Sequence, residues 1–351
     1  MDFSEAITKA DRLDAQGRHQ EAINILLAGA EKGDIEAKTR LGKRMIVGDR
    51  APSLPKDGVG YIVEAAEAGS PEALGVLSVL FALGMYVKQD WRQALNALRL
   101  SAENQWEDAR IQLLAIASNR ELASSRKTEE DNPDYWLQLA ASVDFEYWST
   151  PPTSNTLSED PLIKTYPEFV NNDVCAWLIR KAQGRLTRAQ VYDSVKRTVT
   201  ESHTRTNSAA IFNMVETDLV NLLIQMRMAA STGINFRNFE AATVLHYASG
   251  EQISEHYDFI DPNTPDYEKV IREQGQRIIT FIIYLNDDYK GGETVFPELD
   301  ISHHGSQGEG IFFVNALKDG RSDLRTLHAG RPPLDGEKWI ATQFIRNSFA
   351  L

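Results

Sequence analysis

The feature that most restricts the fold is a repeat. Three segments, Ala30–Ala37 (AEKGDIEA), Ala66–Ala73 (AEAGSPEA) and Ala102–Ala109 (AENQWEDA), start 36 residues apart. Leu41, Leu77 and Leu113 keep the same period, as do Gly48 and Gly84. Self-similarity at this spacing marks stacked helical hairpins, each burying an apolar face that it cannot bury alone. The recurring alanines let paired helices approach closely, and the glycines between them stop one helix before the next begins. The pattern runs over about residues 15–120 and predicts an all-α N-terminal domain.

The spacing resembles that of the SEL-one-like relatives of tetratricopeptide repeats. Those repeats build short superhelices that bind proteins, so the resemblance implies a docking surface or a scaffold. The third copy departs from the pattern, with Gln105 where the first two have Gly33 and Gly69. This half has no cluster of His, Cys or paired acids that suggests catalysis. Of seven histidines, only His19 precedes residue 160, and the other six follow residue 200. Metal or proton chemistry is therefore expected in the second half.

Charge narrows the partners. Residues 1–160 carry 17 Lys and Arg against 26 Asp and Glu, and the remainder carries 20 against 24, within a net charge of −13. Neither half offers the basic field that nucleic acid or an anionic membrane demands. No apolar run reaches the ~18 residues of a membrane span. The opening MDFSEAITKADRLDAQ lacks the apolar core of a signal peptide. Cys175 is the single cysteine, which excludes an intramolecular disulfide and fits a reducing, cytoplasmic setting. Two polar stretches, Ser124–Pro133 and Ser149–Pro161, read as linker around a helix at Tyr135–Trp148. The expected domains are 1–122 (helical repeats), 123–161 (a linker with one helix) and 162–351.

After Pro161 the pattern changes. Pro167–Gln183 reads as a helix capped by Asn171, Asn172 or Asp173, and Val215–Ser231 as another. Ala241–Ala248, Arg277–Leu285, Gly310–Asn315 and Trp339–Arg346 are short, rich in β-branched or aromatic residues, and separated by turns such as YKGGE. Helices followed by strands predict helices packed on a β-sandwich, an α+β arrangement. Within it, His256 and Asp258 in ISEHYDF stand two apart, so a strand points both to one face. His328 follows far downstream. Two imidazoles and one carboxylate form the facial set of non-haem Fe(II) oxygenases, which leaves three adjacent positions for a bidentate cosubstrate and O₂. An H-x-D pair alone is a weak signal. Lys338, in GEKWIATQF, would open a strand with its ammonium aimed inward, where burial is costly without an anionic partner.

The runs LHYASGEQISEHYDF, GQRIITFIIYLNDDYKGGETVFPELD, GEGIFFVN and LHAGRPPLDGEKWIATQF together resemble the 2-oxoglutarate- and Fe(II)-dependent prolyl 4-hydroxylases, over about residues 162–351. The resemblance implies a double-stranded β-helix, or jelly roll, with flanking helices. It implies that His256, Asp258 and His328 ligate Fe(II), that Lys338 pairs with the distal carboxylate of 2-oxoglutarate, and that Tyr247 and Thr280 line the same pocket. The implied reaction is oxidative decarboxylation of 2-oxoglutarate with O₂, coupled to C–H hydroxylation of a prolyl residue in a protein or peptide, with ascorbate as reductant. The helical repeats would dock that substrate. Phe344 stands where the family usually has Trp, which alters the pocket wall.

Other readings differ in class. The same centre could hydroxylate a free amino acid or small metabolite, or the domain could be an interaction module with vestigial catalysis. Nucleic-acid dealkylation shares the triad, but the acidity and Lys338 argue against it. His246 must face away from Tyr247 and reads as a core or supporting histidine. His303 and His304 read as a solvated turn, Cys175 as buried and inert. Arg321 and Arg325 are equally compatible with an acidic substrate group and with a solvated face.

Overall fold

The structure, a computed structural model, describes residues 3–129, 132–188, 190–193, 198–201 and 205–348. Glu130 and Asp131 of the first polar stretch, and His203, lie outside the described residues. The chain divides into two compact units: Met1–Asp144 with Met214–Leu222, and Phe145–Asn213 with Leu223–Leu351.

The first unit contains helices α1 (Phe3–Ala15), α2 (His19–Glu31), α3 (Ile35–Val47), α4 (Pro55–Glu67), α5 (Pro71–Leu83), α6 (Trp91–Glu103) and α7 (Glu107–Ile116). Helices α2, α4 and α6 start 36 residues apart, and so do α3, α5 and α7. The repeated residues explain the boundaries. Asp34 and Ser70 cap α3 and α5, each side chain accepting backbone N–H bonds from the first turn. Gly48 and Gly84 end the same helices in the left-handed conformation. Ala37, Ala73 and Ala109 are at most 1% exposed. A side chain at Gly42 or Gly58 would meet the other's carbonyl oxygen at 2.8 or 2.7 Å, so α3 and α4 touch backbone to backbone. Gln105 adopts a φ of 65°, close to the 88° and 89° of Gly33 and Gly69, so the turn survives without its glycine.

The polar stretch expected as loop at Ser124–Pro133 follows a short helix, Arg120–Ser124, capped by Asn119, and holds another, Arg126–Glu129, while the stretch at Ser149–Pro161 holds a strand, Asn155–Glu159. The aromatic stretch at 135–148 is two helices, Pro133–Ala141 and Phe145–Ser149. Apolar spacing continues across the break, which is why periodicity alone did not reveal it.

The second unit is built on antiparallel strands: β1 (Asn155–Glu159), β2 (Leu162–Tyr166), β3 (Thr187–Arg188), β4 (Ser208–Ile211), β5 (Thr243–Tyr247), β6 (Ile253–His256), β7 (Arg277–Tyr284), β8 (Thr294–Phe296), β9 (Ile301–His303), β10 (Gly310–Val314), β11 (His328–Gly330) and β12 (Lys338–Arg346). One sheet runs β1-β2-β10-β7-β12-β5-β4-β3 and a second β9-β8-β11-β6. A single buried cluster draws Leu245, Tyr247, Ile282, Tyr284 and Ile340 from the large sheet and Phe296 from the small one. Along β7 the residues alternate. Thr280, Ile282 and Tyr284 face that core, while Phe281 stacks in an aromatic group with Tyr166, Phe169 and Phe312. Helix Asn172–Gln183, capped by Asn171 as the sequence allowed, packs on β4 and β5. Cys175 on this helix is fully buried, and burial raises its thiol pKa to about 12, consistent with an inert residue. No helix among the described residues is long and apolar enough to cross a membrane.

Candidate active site

Sheet register assembles the site. In the small sheet His328 lies directly opposite His256, and in the large sheet Lys338 lies opposite Tyr247. Thr280 lies between Phe344 on one side and Phe313 on the other. Asp258 follows His256 by two residues and turns in beside it. Nε2 of His256 is 3.4 Å from Asp258 Oδ1, and Nε2 of His328 is 3.3 Å from Asp258 Oδ2. One donor atom from each residue falls within 4.8 Å of the others, the single His, Asp, Glu and Cys grouping of this kind among the described residues.

The remaining hydrogen bonds fix the chemistry of these donors. Nδ1 of His256 donates to the Ser254 carbonyl at 2.8 Å, and Nδ1 of His328 donates to the Thr326 carbonyl at 3.0 Å. A carbonyl can only accept, so each Nδ1 carries a proton and Nε2 is the nitrogen left to meet a metal. Burial opposes charge on Asp258, but the two imidazoles outweigh it and hold its carboxyl well below the usual range. Burial also opposes charge on His256, yet Asp258 pulls its pKa upward. Thr280 donates to Asp258 Oδ2 at 2.7 Å and itself accepts from Asn315 Nδ2 at 3.0 Å. The donor set suits a divalent transition metal: two imidazole Nε2 atoms, one ionised carboxylate, and supporting bonds that orient all three.

Lys338 is 1% exposed. Its Nζ donates to the Gly292 carbonyl at 2.7 Å and lies 5.7 and 5.5 Å from the ring centres of Tyr247 and Tyr284. It makes no ion pair with any described residue, and burial lowers its pKa to about 8. A Cβ at Gly292 would stand 2.8 Å from the Tyr289 ring and 3.4 Å from Lys338 Cδ, so this glycine gives the lysine its room. A buried ammonium with a neutral acceptor fits a carboxylate-bearing ligand, which would supply the missing charge. Tyr247, Thr280, Lys338 and the triad line one cavity of about 680 Å³.

Several neighbours were not legible from the sequence. Asn315 is fully buried and supports Thr280. Tyr284 donates to Thr294 Oγ1 at 2.9 Å beneath Lys338. Glu240 is held by Arg277 and Arg346, and Arg205 lines the cavity. These groups meet across up to 106 residues of sequence, with no local spacing that could announce them. His246 does face away from Tyr247. It pairs with Glu337 at 2.9 Å and packs on Trp339. His303 departs from the expected solvated turn: it ends β9 with Nε2 3.0 Å from Glu309. Arg321 is bound to Asp319, and Arg325 to Asp323 and Asp160, so both guanidiniums are already engaged.

The sequence model of the 2OG-Fe(II) oxygenase superfamily matches residues 242–346. The chain is 31% identical over 230 residues to a probable prolyl 4-hydroxylase 6 of Arabidopsis thaliana, covering 60% of this chain and 77% of that protein. Among solved structures, it is similar to a viral collagen prolyl hydroxylase from Paramecium bursaria Chlorella virus-1 in a 2OG complex. The identity is 26%, the TM-score 0.40, and 54% of this chain and 96% of that one are covered. A Sel1 repeat protein from Oxalobacter formigenes is 24% identical with a TM-score of 0.31, covering 41% of this chain and 59% of that one.

Proposed function

This chain belongs to the prolyl 4-hydroxylase family within the 2OG-Fe(II) oxygenases, and we propose that it hydroxylates a prolyl residue in a protein or peptide. It is a 2-oxoglutarate-dependent dioxygenase that uses Fe(II) and O₂. Ascorbate is the expected reductant. When bound, iron and 2-oxoglutarate supply the oxidising power, with the cosubstrate decarboxylated to succinate and one oxygen atom delivered to the substrate.

The chain's own residues do the rest. His256, Asp258 and His328 would hold the metal, and the protons on Nδ1 of both histidines keep the Nε2 lone pairs directed at it. Thr280 would orient the Asp258 carboxylate. Lys338 would bind the distal carboxylate of 2-oxoglutarate, with Tyr247 forming the wall beside it. The apolar lining from Leu245, Ile282 and Ile340 excludes water around that pair. The observation that carries this reading is the unpaired, buried Lys338 in the same cavity as the three metal-type donors.

For the fold we favour a jelly roll, supported by two antiparallel sheets sharing one core. For residues 1–122 we favour a superhelix that docks the protein substrate, joined by 123–161 to a catalytic domain at 162–351. A cytoplasmic location belongs to the same reading, supported by the lone buried thiol. The test is mass spectrometry of a proline-containing peptide library treated with enzyme, Fe(II) and 2-oxoglutarate. Products one oxygen heavier at proline, dependent on 2-oxoglutarate, support the reading. Oxygen only on another residue type, or on free amino acids, overturns it.

A further inference from the structure

The cavity has a different electrostatic sign from the chain around it. The protein carries −13 overall. Beyond the triad and Lys338, the charged side chains lining the cavity among the described residues are Arg188, Arg205, Arg277 and Glu240. Residues 189–204, many of them outside the described set, contain two acids and two bases and add no net charge.

The three arginines are not equivalent. Arg188 pairs with Glu251. Arg277 donates through Nε and Nη2 to the two oxygens of Glu240, at 2.7 and 2.8 Å, and Arg346 donates to the same carboxylate at 2.7 Å. Two guanidiniums therefore share one acid, and this cluster keeps a positive charge. Burial opposes ionisation of Glu240, but both arginines overcome it, so the acid is present as carboxylate. Arg205 has no carboxylate partner among the described residues. Its Nε donates to the neutral Asn207 Oδ1 at 3.2 Å. Its backbone bridges to Ile253, which starts the strand that ends in His256. Arg205 thus lines the same cavity as the candidate metal ligands, and its charge is felt at His256.

Loading the centre does not consume this charge. The metal and Lys338 are balanced by Asp258 and the two carboxylates of 2-oxoglutarate. The positive excess at Arg205 and the Arg277–Arg346 pair is left for the substrate. In a cavity with apolar walls such a field is focused, and a guanidinium with unused donors selects a carboxylate by a forked, charge-assisted pair.

We propose that the peptide substrate carries an aspartate or glutamate immediately flanking the hydroxylated prolyl residue, and that Arg205 receives its carboxylate. The proposal rests on the prolyl-hydroxylase reading.

The test uses full-length enzyme and proline peptides that differ only in Asp, Asn or Lys at the flanking positions. Hydroxylation kinetics are read by mass spectrometry. Binding of the same peptides is read with enzyme loaded with Mn(II) and N-oxalylglycine. An Asp peptide should have a KM lower than its Asn counterpart by roughly tenfold, with kcat little changed. Arg205→Gln should remove that difference, Arg205→Lys should keep part of it, and Arg205→Glu should turn the preference toward Lys. Equal KM for Asp and Asn peptides with the wild-type enzyme, or a preference that survives Arg205→Gln, overturns the proposal. If none of the peptides is hydroxylated, the prolyl reading fails. The binding series still decides the charge preference: tighter binding of the Asp peptide supports it and equal binding overturns it.

Discussion

Thr280 and Asn315 show how far the site extends beyond its ligands. Thr280 gives its proton to Asp258 and takes one from Asn315, so a buried amide sets the direction of the hydroxyl. Thr280→Val keeps the shape and removes the donor. It should weaken Mn(II) or Fe(II) affinity roughly 10–100-fold, read by metal titration with circular dichroism as the folding control. At Lys338 the relevant group is charged only below about pH 8 before 2-oxoglutarate binds. A dicarboxylate favours the ammonium and raises its pKa in the complex. Binding should therefore take up a proton above about pH 8, and affinity should fall as pH rises further. Calorimetry in buffers of different ionisation heat checks this. Lys338→Ala should raise the 2-oxoglutarate requirement on the order of a hundredfold while metal binding persists. That His256, Asp258, His328 and Lys338 gather at one cavity was legible because they lie in runs that together resemble one family. Asn315, Arg205 and Glu240 were not, because an isolated Asn, Arg or Glu has an ordinary solvated reading until the fold brings its partner close.

At the scale of elements, the repeat unit was read well because its period is enforced by backbone geometry. Caps at Asp34 and Ser70, stops at Gly48 and Gly84, and alanines at the contacts all recur at one spacing. Gln105 breaks the rule in sequence but not in conformation, holding a φ of 65°. Gln105→Gly should relieve strain of about 1 kcal/mol and raise the melting temperature of the first unit. Thermal unfolding measures this; an unchanged or lower transition would mean that the Gln side chain compensates. The four strands read from the sequence, at 241–248, 277–285, 310–315 and 339–346, were placed within a residue or two, whereas short strands such as β8, β9 and β11 carry too few residues to show a pattern. Their register was not readable, because it depends on partners as far apart as Thr280 and Phe344. The break between the two aromatic helices was hidden for the opposite reason, an apolar spacing that runs across it.

For the molecule as a whole, sequence suggested two domains joined by a linker at 123–161, whereas the first compact unit runs to Asp144 and also takes in Met214–Leu222. Met214 and Val215 pack against the cluster around Ile62 and Leu80. A chain starting near residue 155 would lose those partners and should aggregate more readily. Where soluble, it should still turn over 2-oxoglutarate without substrate, and its KM for a protein substrate should rise if the repeats dock that substrate. Equal KM for the truncated and intact chains would reduce the repeats to a scaffold. Strands far apart in sequence bring one donor atom each of His256, Asp258 and His328 within 4.8 Å of one another, where we propose that iron binds. Anaerobic dialysis against Fe(II), followed by metal analysis, tests it most directly. One iron per wild-type chain is expected, with loss of iron from folded His256→Ala and His328→Ala variants. Iron retained at the wild-type level in both variants would contradict it.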